Sequence, residues 1–161
     1  MNDQVQYSEA RNKAIAHIGI SVSSSGKIRE YLCNNGYDRD LIETVISQLI
    51  EDGYVDDARV ARKILRQRSG SKAEGRAKLS LRLEASGIPH NVIDEVLSED
   101  EFSDEKTIME VIHDRFPVES FSSDPSQSQR ELAKAIRYLE NRGYSASLAL
   151  ASFRKLIHDV E

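Results

Sequence analysis

Apolar positions along this chain recur at intervals of three and four residues, the period of an amphipathic helix, and no segment alternates as a strand pair would. Ala10, Ala14, Ile15 and Ile18 share one face of a helix predicted from Tyr7 to Ile20. After the break Val22-Ser23-Ser24-Ser25-Gly26, Ile28 and Leu32 mark a second helix, with Ser24 or Ser25 as its N-cap. A third helix is predicted from Arg39 to Asp52 behind an Asp38 cap, with Tyr37 and Ile42 spaced as a hydrophobic staple. The pattern then starts again. A helix capped by Asp56 and stapled by Val55 and Val60 runs to Arg68, and Ser69-Gly70-Ser71 breaks it. Two more helices carry Leu79 with Leu83 and follow Pro89. Beyond an acidic connector, Glu99 to Glu105, comes a helix with Ile108, Val111 and Ile112, then a loop from Pro117 to Ser128. A long helix with Leu132, Ala135, Ile136 and Leu139 ends at Gly143, and a last helix starts at Ser145.

The punctuation repeats as well. Leu32 to Tyr37, Leu83 to Ile88 and Leu139 to Tyr144 each read Leu, three residues, Gly, large apolar residue. Ile28, Leu79 and Ala135 stand four residues before each Leu. Leu41, Ile42, Val45 and Ile46 hold the same offsets as Val92, Ile93, Val96 and Leu97, and more loosely Leu148, Ala149, Ser152 and Phe153. A glycine at C′ can take the left-handed conformation that closes a Schellman helix end, where residues C3 and C″ touch. Leu49, Gly53 and Tyr54 form a fourth instance. Self-similarity at this period is the mark of a repeat architecture. The predicted fold is all-α, with three tandem three-helix repeats at 1–53, 54–98 and 99–161 forming an elongated, curved array.

A chain of 161 residues with 30% charged residues and a formal net charge of −5 can bury a real core. That balance argues against nonspecific nucleic-acid binding by the chain as a whole. The single cysteine, Cys33, excludes an internal disulfide and is expected to be packed. The first ten residues lack a signal-peptide apolar region, and the reading is a cytoplasmic monomer that needs no membrane. His17, His90, His113 and His158 are scattered singly, Gly70-Ser71-Lys72 lacks the glycine spacing of a phosphate loop, and the acidic run lacks the ligand alternation of a calcium loop. No catalytic residue, metal, cofactor or small-molecule substrate is expected.

Charge is spread unevenly along the chain. Between Arg59 and Arg82 nine cations (Arg59, Arg62, Lys63, Arg66, Arg68, Lys72, Arg76, Lys78 and Arg82) face one acid, Glu74. That segment is +8, and the remainder of the chain is −13. At about 100° per residue, Arg59, Arg62, Lys63 and Arg66 share one helix face, and Ala58, Ala61, Ile64 and Leu65 share the opposite one. Such a face is either a solvated surface or a docking surface for phosphates or an acidic protein. From Asp94 to Asp124 the sign reverses, with eleven acids against Lys106 and Arg115.

The segment Gly53 to Arg62, with Asp56, Asp57, Arg59 and Ala61, resembles the signature of the RecX family of bacterial RecA regulators. Gly75, Leu79, Leu83, Gly87 and Ile88 match that family's following glycine and leucine pattern, and Ser24, Ile28, Leu32 and Gly36 match its first repeat. Val60 stands where the family usually has an aromatic residue. The resemblance implies a curved three-repeat protein lying in the groove of the RecA–DNA filament, inhibiting ATP hydrolysis, strand exchange and repressor cleavage in the SOS response. On that reading the nine cations contact the filament, through acidic RecA surfaces or phosphates, with single- or double-stranded DNA a weak ligand. The competing reading is an independent helix-turn-helix-like DNA-binding module.

Overall fold

A computed structural model describes residues 2–20 and 23–158, with the side chains of Asn2, Val118 and His158 left aside. Among the described residues there are nine α-helices and no strand. They are α1 (Asn2–Ile20), α2 (Ser25–Asn34), α3 (Arg39–Glu51), α4 (Asp57–Arg66), α5 (Arg76–Ala85), α6 (His90–Leu97), α7 (Asp104–Arg115), α8 (Pro125–Asn141) and α9 (Ala146–His158). Short 3-10 turns stand at Gly70–Lys72, Asp100–Phe102 and Val118–Ser120. Val22 of the predicted break lies outside the described residues, as does the His158 side chain.

Every predicted glycine stop is a Schellman end. Gly36, Gly53, Gly87 and Gly143 all have positive φ, between 76° and 92°. In each, the glycine N–H donates to the second residue of the motif, as from Gly87 to Glu84 O at 2.9 Å. The following residue donates to the leading Leu: Tyr37 to Leu32, Tyr54 to Leu49, Ile88 to Leu83 and Tyr144 to Leu139. The last carbonyls of each helix are thereby satisfied. Tyr54 departs from the pattern. It is exposed, and the next residue, Val55, is buried in its place.

The chain divides into two compact units, Met1–Lys63 with Leu83–Asp94 and Ile64–Arg82 with Glu95–Glu161. In the first, the core joins Ala10 and Ala14 of α1, Ile28 and Leu32 of α2, and Ile42, Val45, Ile46 and Leu49 of α3. The two alanines let α1 approach closely, and each buried Ile or Leu contributes about 1.5–3 kcal/mol. Ser24 and Asp38 cap α2 and α3 by accepting from Lys27 N and Leu41 N. His17 stacks on Tyr31 with centroids 4.1 Å apart. The helix begins at Asn2 rather than Tyr7, because its first turn faces solvent and an apolar period cannot register it. Cys33 is exposed, which corrects its expected packing: it sits one residue past Leu32, on the outer side of α2.

In the second unit, Ile108, Val111 and Ile112 of α7, Ala135 and Leu139 of α8, and Ala149 and Phe153 of α9 enclose Ala73 and Tyr144. Phe116, Phe121, Tyr138 and Phe153 meet edge to face with centroids 5.3–6.4 Å apart. The loop expected to run to Ser128 stops at Asp124, which caps α8 by accepting from Gln127 N, with Pro125 inside the first turn. α4 ends at Arg66 instead of Arg68.

One arrangement occurs in both units. In the first, the N-terminus of α2 abuts the glycine turn that ends α5: Gly26 N–H donates to Gly87 O at 3.1 Å and Ser24 Oγ to Ser86 O at 2.6 Å. In the second, Gly75 N–H, at the start of α5, donates to Arg142 O at 2.8 Å in the turn that ends α8. The positive end of one helix thus meets the negative end of another. A carboxylate completes each junction. Ser25 donates through N–H and Oγ to Asp57 at 2.7 and 2.6 Å, and Arg76 N–H donates to Asp104 Oδ1 at 2.7 Å.

Tyr144 O–H donates to Thr107 Oγ1 at 3.1 Å, and Thr107 in turn to Ser103 O. Burial pushes the Tyr144 phenol up to about 12. Below the unfolded value of 10.0 both states are protonated. Between there and the folded value only the unfolded chain ionises, so stability falls as pH rises, by about 2–3 kcal/mol in all. Denaturant midpoints measured across that window should show this loss, and Tyr144→Phe should remove its share of the slope.

Candidate functional site

The nine cations of the basic segment have very different surroundings. Those of the first unit are on α4, whose inner face carries Val60 and the fully buried Ala61. Asp56 begins this helix by accepting from Arg59 N–H at 2.9 Å. Arg59 and Lys63 point outward and, among the described residues, have no side-chain ion pair. Arg62 is half-buried and engaged.

In the second unit most of the cations hold structure. Glu74 is 3% exposed, the one acid in the segment. Arg82 grips it with a two-pronged contact, Nη2 to Oε1 at 2.7 Å, and Lys78 Nζ lies 3.7 Å from Oε1. Burial works to raise the Glu74 pKa, but the Arg82 hydrogen bonds, with charge from Lys78 and Arg68, outweigh it and hold the group below 4.5. Lys78 also donates to Asn141 O at 3.1 Å, and Arg76 Nη1 to Leu97 O at 2.9 Å. Arg66 pairs with Glu101 at 3.1 Å, so the acidic connector supplies a counter-charge to the basic segment. Lys72, ending the 3-10 turn, is exposed and has no ion pair among the described residues. Arg68 is half-buried near Glu74.

The sequence pattern marks the charge density but misses this division. A signal for it exists: a lone Glu among nine cations, flanked by Ala73 and Gly75, suits a buried partner better than a surface residue. Because the Glu74 pKa is depressed, its ion pairs stabilise the fold above about pH 4.5 and are lost as pH falls through the folded value. Glu74→Gln should therefore lower the unfolding midpoint at neutral pH and weaken its dependence on pH in the acid range.

Other concavities offer little chemistry. A groove of about 550 Å³ in the first unit has its charged groups already engaged, Arg29 with Glu43 at 2.6 Å and Asp57 with Ser25. Among the described residues no group of three or more His, Cys, Asp or Glu could hold a metal ion, and no helix is long and apolar enough to cross a membrane.

No protein-family model matches the chain. Individual proteins do. A regulatory protein RecX of Streptococcus pneumoniae serotype 19F (strain G54) is 26% identical over 161 residues, 100% of this chain and 60% of that one. The RecX of strain CGSP14 is 27% identical over the same spans. The crystal structure of RecX from Lactobacillus salivarius superposes with a TM-score of 0.70 over 93% of this chain and 96% of that one, at 20% identity. The chain is thus similar in sequence to RecX regulatory proteins and shares the fold of the RecX crystal structure. A second RecX crystal structure also superposes with a TM-score of 0.70, covering 91% of this chain and 71% of its own, at 18% identity. The chain spans about 60% of the length of the S. pneumoniae RecX proteins it matches.

Proposed function

We propose that the chain is a regulatory protein that binds the RecA–DNA filament and inhibits RecA ATP hydrolysis, strand exchange and repressor cleavage, and so modulates DNA repair and the SOS response. The observation that carries this reading is the similarity to regulatory RecX proteins along the whole of this chain. The cations not tied into the fold, Arg59 and Lys63 on α4 and Lys72 after it, are the contacts we assign to acidic RecA surfaces or to phosphate. The repeat division 1–53, 54–98 and 99–161 belongs to the same reading, with the protein acting as a monomer in the cytoplasm.

The test is RecA ATP hydrolysis on single-stranded DNA, using RecA of the same organism, with the chain titrated in below the RecA concentration. Inhibition at fewer chains than RecA protomers is expected. Absence of inhibition at equimolar chain would overturn the proposal. An independent DNA-reading module is disfavoured by α6, the helix that follows the Gly87 turn: it exposes His90, Asn91, Asp94 and Glu95, two of them acids. With no Lys or Arg on this helix, the two carboxylates would meet the phosphates flanking a groove with repulsion.

A further inference from the structure

A second cationic surface lies on α8, in the second unit. Leu132, Ala135, Ile136 and Leu139 face the core. At about 100° per residue, Arg130, Lys134 and Arg137 fall within a stripe about 60° wide on the opposite side, where all three are exposed. Among the described residues none of the three has an ion pair. Of the two acids of α8, Glu131 accepts from Ser122 N–H at 2.8 Å and from Gln127 at 3.2 Å, holding the loop before the helix, and the exposed Glu140 lies at the edge of the stripe, about 60° from Arg137. This contrasts with Arg66, Arg76, Lys78 and Arg82, whose side chains bind within the unit.

We propose that this outward face of α8 binds the phosphate backbone of a nucleic acid through Arg130, Lys134 and Arg137. The inference does not rest on the reading of the 59–82 segment. Seven residues of helix set the three cations over about 10 Å. A strand carrying one phosphate per ~3.4 Å of axis presents at least three phosphates over that length. The neighbours on the face, Ser126, Ala133 and Asn141, are exposed and small or polar. The large exposed hydrophobics of the described residues (Val5, Ile20, Ile50, Tyr54, Leu81 and Ile157) all lie elsewhere in the sequence. The desolvated apolar or aromatic centre that anchors most protein interfaces is not present on this face. A repeating anion needs only charge at intervals. The phosphates would fix position and carry no sequence preference.

The experiment is fluorescence anisotropy of a labelled single-stranded oligodeoxythymidine, titrated with the chain and with Arg130→Gln/Lys134→Gln/Arg137→Gln at several salt concentrations. Three phosphate contacts give a salt slope of about 2, equivalent to a roughly 20-fold affinity change between about 50 and 200 mM salt. The variant, with unchanged helicity and melting, is expected to lose that slope and to bind at least about tenfold more weakly at the lower salt. No oligonucleotide binding by the unmodified chain, or equal affinity and slope for the variant, would overturn the inference. Intact oligonucleotide binding with lost RecA inhibition would also overturn it, marking a protein-docking face. Lost oligonucleotide binding with intact RecA inhibition would support it and leave the filament reading standing.

Discussion

Gly75→Ala is expected to destabilise the second unit by about 3 kcal/mol, and Gly26→Ala to do the same in the first. Both glycines have ordinary negative φ, so conformational freedom is not the reason. The reason is space. A Cβ on Gly75 would lie 2.3 Å from Gly143 O and 2.4 Å from Gly143 C, and one on Gly26 would lie 2.4 Å from Gly87 O. These obstacles are backbone atoms of a turn held by its own Schellman hydrogen bonds, which cannot swing aside as a side chain could. Relief would require separating the junction, and that would lengthen or break Gly75 N–H to Arg142 O or Gly26 N–H to Gly87 O. The variant would thus combine overpacking with loss of a partly buried hydrogen bond. Gly19→Ala is the control, since nothing lies within 4 Å of the place its methyl group would take on α1. There alanine should be neutral or stabilise by up to about 1 kcal/mol, through helix propensity. Urea midpoints for the three variants decide the matter. Equal midpoints for Gly75→Ala and Gly19→Ala would mean that the junction is looser than its geometry states.

These junctions also separate what is legible in a sequence from what is not. The C-terminal glycines stand out because Leu, Gly and a large apolar residue at fixed spacing are the local requirements of one helix end. Asp38, Asp56 and Ser24 are legible as caps for the same reason, each bond spanning only three residues. Pro125 is ambiguous, because proline suits a loop and the first turn of a helix equally well, and only Asp124 three residues before Gln127 distinguishes them. Gly26 looks like a helix break and Gly75 has no local signature, because their partners lie 61 and 67 residues away. The same holds within the basic segment. Helical periodicity separates Arg59 and Lys63 from Ala61 correctly, since that depends on one helix alone. It cannot assign Arg82 to Glu74 or Arg66 to Glu101, because those pairings depend on where other segments pack. Charge density measured along a chain counts cations that the fold has already used.

That distinction determines how the proposed filament contact should be broken. Reversing Arg66 would set a carboxylate beside Glu101, and reversing Arg82 would strand the buried Glu74, so either change would confuse lost binding with lost structure. Arg59→Glu/Lys63→Glu changes only exposed side chains on α4 and should leave helicity and melting within about 0.5 kcal/mol of the unmodified chain. Lys72→Glu does the same for the second unit. Each reversal removes one attraction and adds one repulsion, and two together should raise the concentration needed for half-inhibition of RecA ATP hydrolysis at least about tenfold. Arg82→Gln provides the converse case: melting should fall, while inhibition below the transition stays near normal. If Arg59→Glu/Lys63→Glu and Lys72→Glu both inhibit as well as the unmodified chain, the basic segment is a structural feature, and the contact with RecA lies elsewhere. If inhibition fails in the α4 variant alone, the contact belongs to the first unit. The exposed cations would then be set apart from the buried network by function as well as by packing.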